Sequence, residues 1–162
     1  MTSGVSTPQI GPVVKDVWKQ QWIAHAQLLA SMSPCGRGKV GALIIDARNN
    51  VVSSGFNGPP RGVPGSLCGG DFCERDKRGC LSGEQTEVGC HHAEQNALMN
   101  ACARGAATQG CTLVTLMSPC LACAKLIHHA GIERVITWAA YDPRGAAYLA
   151  NVGVSVEVVA RN

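Results

Sequence analysis

The stretch Cys111-Thr-Leu-Val-Thr-Leu-Met-Ser-Pro-Cys-Leu-Ala-Cys-Ala-Lys-Leu-Ile-His-His-Ala130 decides the fold of this chain. Its first part is aliphatic and β-branched, which predicts a buried strand over 111–116. A helix is predicted over 120–130, and Pro119 is tolerated at its start because the first helical turn needs no backbone donor. A buried strand that leads into a helix is typical of an alternating α/β chain.

The same alternation extends on both sides of this stretch. The further predicted elements are strands over 134–138 and 154–159 and helices over 93–104 and 143–151. Strands joined through helices imply parallel crossovers. Two short apolar runs, 40–45 and 51–54, flank a polar turn and predict a hairpin at the edge of the sheet. We therefore expect a three-layer α/β/α sandwich around a mixed, five-stranded sheet.

A first helix is predicted over 13–32, after a loose arm at 1–12. Its apolar residues recur at three- and four-residue steps, the spacing of one helix face, and we expect that face to be buried. The residues of this predicted face are Val14, Val17, Trp18, Ala24, Leu28 and Met32.

Length and composition bound the class of protein. A length of 162 residues is typical of a single domain. The composition, with 46% hydrophobic and 15% charged residues, excludes intrinsic disorder. A net charge of +3 with scattered Lys and Arg does not favour binding to a nucleic-acid polymer. No apolar run approaches the roughly 18 residues of a membrane span, and 1–15 lacks a signal peptide's apolar core. These features predict a cytoplasmic protein without a membrane partner.

Cysteine is the anomaly of the composition, with nine residues. An odd number without a secretion signal favours metal ligands and buried thiols over disulfides. Four of the nine lie at about 57–91, where eight glycines in 35 positions cannot present a periodic apolar face. We expect one domain over 1–162 with a Cys/Gly-rich insert at 57–91.

Two short motifs carry the chemistry. His92-Ala93-Glu94, followed by Pro119-Cys120-x-x-Cys123, matches the H-x-E…P-C-x-x-C signature of zinc deaminases. Both motifs fall where a helix begins, so His92, Cys120 and Cys123 are predicted to hold zinc near two helix N-termini. Three protein ligands leave one tetrahedral position for water, which is the mark of a catalytic zinc site. Glu94 is the predicted proton carrier.

Either motif alone has a weaker interpretation. C-x-x-C is often a redox pair or half of a structural zinc ribbon, and H-x-E is less specific still. A non-catalytic, zinc-stabilised binding module also remains open. It predicts a fourth protein ligand and no role for Glu94.

Several segments resemble the deoxycytidylate (dCMP) deaminase family of the cytidine-deaminase superfamily. They are 33–42 (SPCGRGKVGA), 55–62 (GFNGPPRG), 92–97 (HAEQNA), Ser118-Pro119-Cys120 and Tyr141-Asp142. The resemblance implies hydrolysis of dCMP to dUMP and ammonia, which supplies thymidylate synthesis. It also implies a homo-hexamer activated by dCTP with Mg²⁺ and inhibited by dTTP.

The resemblance also implies substrate contacts. Asn57 is expected to hydrogen-bond the nucleoside, and Ala93 to offer its backbone N–H to the base carbonyl. The region of Ser118 and Cys120 is expected to receive the amino group, and Tyr141 to lie against the ring. Phe56 departs from the usual tyrosine of the family, and His91 stands where a small residue is common.

Members of this family commonly hold a second, structural zinc, for which Cys35, Cys68, Cys73 and Cys90 are the favoured ligands here. Cys80 and His91 are alternatives, and free loop thiols are the competing interpretation. The two remaining cysteines, Cys102 and Cys111, are predicted to be buried.

Arg37, Lys39 and Arg61 are candidates for the 5′-phosphate, because a phosphate favours charge-assisted donors. Solvated surface charge is the other interpretation. The alternative substrates dCTP, cytidine and tRNA adenosine also remain open on the sequence.

Overall fold

The computed structural model describes residues 14–59, 62, 68–69, 72–81 and 89–160. The helices are α1 (Asp16–Ser31), α2 (Glu74–Lys77), α3 (Ala93–Ala103), α4 (Leu121–His129) and α5 (Pro143–Asn151). The strands are β1 (Gly41–Ile45), β2 (Val51–Phe56), β3 (Cys68–Gly69), β4 (Phe72–Cys73), β5 (Thr112–Met117), β6 (Arg134–Ala139) and β7 (Ser155–Val158). The sequence predicts all of these except α2, β3 and β4, which lie in the insert.

Five strands form the main sheet, in the order β2-β1-β5-β6-β7. β1 is antiparallel to both β2 and β5, whereas β5, β6 and β7 run parallel. Asp46 closes the hairpin between β1 and β2 by accepting the backbone N–H groups of Arg48 and Asn50. Asn49 adopts φ 63° there, a conformation that asparagine tolerates. The prediction of a mixed, five-stranded sheet is confirmed.

Helices cover both faces of the sheet. Alternate residues of β1 separate the two cores: Ala42 and Ile44 pack with α3, α4 and α5, while Leu43 and Ile45 pack with α1. This alternation is the period of a strand that is buried on both sides. The three-layer α/β/α architecture is confirmed.

The predicted face of α1 is wrong. Val17, Leu28 and Met32 are 62–66% exposed, and the buried residues are Lys19, Ile23, Ala26 and Ala30. Small size decides the contact, because a Cβ on Gly41 would lie 2.1 Å from the carbonyl oxygen of Ala26. The helix therefore approaches β1 through its alanines rather than through its largest apolar residues.

Ion pairs allow Lys19 to lie on this buried face. Its ammonium group pairs with Asp16 and with Glu157 on β7. The hydrogen bond to Glu157 raises the pKa of Lys19, which keeps the side chain charged.

One of the two predicted buried thiols is also wrong. Cys111 is buried, as predicted, but Cys102 is exposed. Cys102 follows the fully buried Ala101 on α3, so its side chain lies on the outer side of that helix.

Within the described part of the chain, no helix combines the length and hydropathy that crossing a bilayer requires.

Candidate active site

The sheet topology gathers the predicted site residues at one edge. Because β1 runs opposite to β5 and β2 runs opposite to β1, the end of β2 lies at the same edge as the end of β5. The loop that enters β1 and the loop that leaves β6 meet there as well. The segments 33–40, 57–58, 118–120 and 140–142 are therefore neighbours in space.

The start of α3 is fixed to β2 by side-chain hydrogen bonds. Asn96 donates to the carbonyl of Phe56 at 2.7 Å, and Asn100 donates to that of Ser54 at 2.9 Å. A Cβ on Gly55 would lie 2.5 Å from the backbone nitrogen of Ala97, so only glycine permits this approach. The packing of α3 on β2 thus positions the residues at the start of that helix.

Three potential metal ligands converge at the starts of α3 and α4. The ligand atoms of His92, Cys120 and Cys123 all lie within 4.8 Å of one another. The distances from His92 Nδ1 are 3.5 Å to the sulfur of Cys120 and 3.4 Å to that of Cys123. Tetrahedral zinc, with bonds of about 2.3 Å to sulfur and 2.0 Å to nitrogen, requires nitrogen and sulfur ligands to be about 3.5 Å apart. The donor set and its spacing fit zinc.

The electrostatics of this group favour a thiolate. The hydrogen bond from Cys123, together with that from His92, lowers the pKa of Cys120 to about 4. The hydrogen bond to Cys120 in turn raises the pKa of His92. Cys120 is also the N-cap residue of α4, where the helix dipole favours negative charge.

Glu94 lies in the first turn of α3 and is only 5% exposed. Burial raises its pKa, because a desolvated carboxylate is less stable than the neutral acid. The shift moves the carboxyl group toward the range in which a general acid and base works best.

The predicted substrate contacts differ in their surroundings. Ala93 and Ser118 are buried, whereas Tyr141 is 41% exposed. The hydroxyl of Ser118 accepts the backbone N–H of Tyr141 at 2.7 Å, which joins the loop after β5 to the loop after β6. Asn57 supports a third loop, since its side chain accepts from the N–H of Val40 and donates to the carbonyl of Gly38, both at 2.8 Å.

The candidate phosphate ligands are not brought together as free cations. Arg37 pairs with Asp76 of α2 and donates to the carbonyl of Cys80 at 3.0 Å. Lys39 is exposed on the same loop. Arg61 lies outside the described residues.

The insert cysteines do not form a second metal cluster in the described residues. Cys35 is buried, and Cys73, Cys80 and Cys90 are partly buried. No three of these described groups, with His91 included, place their ligand atoms within 4.8 Å of one another. The side chain of Cys68 lies outside the description.

Sequence reasoning gave no role to two residues that shape this site, Asn96 and Asp142. Asn96 belongs to the quoted motif, and its amide in the first turn of a helix is a signal of a bond to a neighbouring element. An aspartate directly before Pro143 is the signal of a capped helix start.

A family model described as the cytidine and deoxycytidylate deaminase zinc-binding region matches residues 16–139. The fold and the His/Cys/Cys group agree with that description, and the chain belongs to this family of zinc-binding deaminases.

Two curated relatives are deoxycytidylate deaminases. The protein of Saccharomyces cerevisiae is 33% identical over 91% of this chain and 46% of its own length. That of Mus musculus is 37% identical over 74% of this chain and 63% of its own length. The chain thus spans about half to two thirds of these relatives. The dCMP deaminase of the cyanophage S-TIM5, solved in complex with dCMP and dUMP, is 29% identical with a TM-score of 0.75, over 90% of this chain and 99% of that one.

Proposed function

We propose that this chain is a zinc-dependent enzyme that converts dCMP and water to dUMP and ammonia, and so supplies thymidylate synthesis. The observation that carries the proposal is the His92, Cys120 and Cys123 group beside the buried Glu94. The deoxycytidylate deaminases among the relatives support the choice of substrate. We treat 1–162 as one deaminase domain with its insert at about 57–91.

The chemistry divides between the metal and the chain. Zn²⁺ held by the three ligands would supply a Lewis acid that lowers the pKa of a nearby water, so that the water can lose a proton and act as a nucleophile. Glu94 takes a proton from the attacking water and passes it to the ring nitrogen N3 as the C–O bond forms at C4 of the pyrimidine ring. It then moves the proton of the new C4 hydroxyl to the amino group, so that the C–N bond breaks, the C4 carbonyl forms and ammonia leaves.

The remaining residues orient the substrate. The N–H of Ala93 lies in the first turn of α3, where backbone donors have no acceptor within the helix, and we assign it to the base carbonyl. Ser118 faces the amino group and Tyr141 the ring. Asn57 contacts the nucleoside while its amide holds the 38–40 backbone, which presents Lys39 to the phosphate.

Arg37 joins the phosphate contacts only if it leaves Asp76. A surface ion pair of this kind contributes about 1 kcal/mol or less, so a dianionic phosphate can replace the carboxylate.

We also propose a second, structural zinc bound by Cys35, Cys68, Cys73 and Cys90, with Cys80 and His91 as alternatives. Support comes from the composition of the insert, which has little apolar area to bury and gains order from a metal. Binding of this ion has to draw Cys35, Cys73 and Cys90 closer than they lie here.

Regulation by dCTP with Mg²⁺ and by dTTP, in a homo-hexamer, forms part of the proposal through the family resemblance. The exposed apolar side of α1, with Val17, Leu28 and Met32, supports self-association because such residues are costly to leave in water. Coupling of about 1–3 kcal/mol between the effector site and the substrate site is typical. We place the chain in the cytoplasm because the cysteines in the described part of the chain form no disulfides, as in a reducing compartment.

The test is ammonia release from a panel of dCMP, dCTP, cytidine and a tRNA anticodon stem, each with and without dCTP and dTTP as effectors. We expect turnover of dCMP, with sigmoidal dependence on its concentration that becomes hyperbolic with dCTP. The variant Glu94→Gln is the control for contaminating activity. Turnover of cytidine or tRNA in place of dCMP would contradict the proposed substrate, and hyperbolic kinetics from a monomer would contradict the proposed regulation.

A further inference from the structure

We infer that Asp142 is a positioning residue for the metal site: it caps α5, and the first turn of α5 packs against the ligand turn, residues 118–121, which leads into α4 and carries Cys120. The inference rests on the proposed function for the role of the metal, but its evidence is the geometry of these two helix starts.

The carboxylate of Asp142 is buried, with 8% of its surface exposed, and it is fully engaged. As the N-cap of α5 it accepts the backbone N–H of Arg144 at 2.9 Å. The guanidinium of Arg144 adds a two-pronged contact, from Nε at 3.0 Å and from Nη2 at 2.9 Å.

The same carboxylate lies beside the start of α4. The side-chain hydrogen bond from Arg144 is the main cause that lowers the pKa of Asp142, and the backbone of Leu121, which directly follows the ligand Cys120, adds a smaller contribution. Asp142 thus fixes the first turn of α5 next to the residue that adjoins a metal ligand.

Close packing at the same point leaves the turn little room to move. A Cβ on Gly145 would lie 1.9 Å from the carbonyl oxygen of Pro119, which shows how closely the backbones approach. The first turn of α5 therefore packs directly against the ligand turn, residues 118–121. The bond between the backbone of Tyr141 and the hydroxyl of Ser118 holds the turn from its other end. Residues 141–145 thus contact 118–120 at two points.

The charge of Arg144 explains why a carboxylate is tolerated here. A buried carboxylate without a partner would be destabilised by the loss of its hydrating water. Arg144 balances the charge of Asp142 through the two-pronged pair. Asp142 and Arg144 therefore support the ligand turn as a neutral unit.

A small displacement of the turn matters because zinc ligation is directional. Loss of a residue that orients metal ligands typically costs about 10- to 100-fold in metal affinity or activity. We expect this loss when Asp142 is removed, although Asp142 touches neither the metal nor the substrate.

The experiment compares Asp142→Ala and Asp142→Asn with the matched control Asp46→Ala. Asp46 also caps a turn by accepting two backbone N–H groups, but it does so in the β1–β2 hairpin. For each purified variant of this chain, zinc affinity is measured by competition with a chromogenic chelator, and stability by thermal unfolding. The Co²⁺-substituted protein adds the absorption bands of the thiolate–metal group, and kcat and KM for dCMP are determined separately.

We expect Asp142→Ala to weaken zinc binding about 10- to 100-fold and to shift the cobalt bands. Asp142→Asn should lie between this variant and wild type, because the amide oxygen accepts one N–H. Asp46→Ala should lose stability with zinc affinity within about twofold of wild type. If Asp142→Ala does not fold, the test rests on Asp142→Asn, which should still bind zinc more weakly than both wild type and Asp46→Ala.

Unchanged zinc affinity and unchanged cobalt bands in both Asp142 variants, with a loss of stability like that of Asp46→Ala, would overturn the inference. A wild-type protein that binds zinc but does not deaminate dCMP would instead remove the proposed function and leave the metal measurements valid. The two failures are therefore distinguishable.

Discussion

The two cysteine-rich regions of this chain are organised in opposite ways. Cys120 and Cys123 lie at the start of a helix that is packed on the sheet, and their sulfurs lie close to the ring of His92. Cys73, Cys80 and Cys90 lie in or beside the insert, where the described elements are two strands of two residues and one helical turn. The first site is positioned by the fold, whereas the proposed second site would gain its order from the metal it binds. Each of the following predictions tests this contrast.

The largest effect is expected from the fold-positioned ligands. Cys120→Ser or Cys123→Ser should remove the catalytic zinc and all measurable turnover, because a hydroxyl is a poor replacement for a zinc-bound thiolate. Cys102→Ser is the matched control, since that thiol is exposed on α3 and should leave zinc and turnover unchanged. Elemental analysis and ammonia release decide the outcome, and full zinc content in Cys120→Ser would exclude this residue as a ligand.

Glu94→Gln should separate chemistry from metal binding. The amide cannot carry protons between water, ring and leaving amine, so turnover should fall by about 10²–10⁴-fold. Zinc content and thermal stability should remain those of wild type, because glutamine fits the same volume and needs no charge in a buried position. Substantial activity in the zinc-loaded variant would mean that another group carries the protons.

Gly55→Ala should disturb the metal site through packing alone. Its Cβ would lie 2.5 Å from the nitrogen of Ala97, so α3 must move away from β2 and take His92 with it. We expect a loss of about 1–3 kcal/mol in the free energy of unfolding and weaker zinc binding. Gly38→Ala is the control, because nothing lies within 4 Å of its added Cβ. Equal stability of the two variants by chemical denaturation would show that α3 does not need this close approach.

The smallest effect on turnover is expected from the insert. Cys73→Ser or Cys90→Ser should lower zinc from two to one per chain and make the insert more susceptible to limited proteolysis, with kcat changed only a few-fold. Cys102→Ser again serves as the control. If the native protein carries close to one zinc per chain, the proposed second site is wrong.

Sequence patterns predict the parts of this molecule that depend on local periodicity and motif spacing. The alternation around 111–130 gives the sheet and its helices, and the two motifs bring His92, Cys120 and Cys123 to adjacent helix starts. These features depend on short stretches of chain, which is why one sequence suffices for them.

The wrong or missing predictions concern features that depend on contacts between distant parts of the chain. On α1 a count of apolar residues selects the exposed side, since the space over Gly41 admits alanine and not leucine or tryptophan. Local sequence patterns also do not predict the pairing of Lys19 with Glu157, because Glu157 lies on β7, near the other end of the chain. The close packing of Gly145 in α5 on Pro119 before α4 is also non-local, so a reading of either stretch of sequence alone does not predict it.

The pairing of β1 with β5 joins two strands that the hairpin, the insert and α3 separate along the chain. The entropy lost on closing such a loop grows only with the logarithm of its length, so that doubling the loop costs about 0.6 kcal/mol. The sheet therefore tolerates inserts of very different lengths at this position. During synthesis, however, β1 is made before β5. Until β5 pairs with it, the edge of β1 that faces β5 in the folded sheet can pair with other chains.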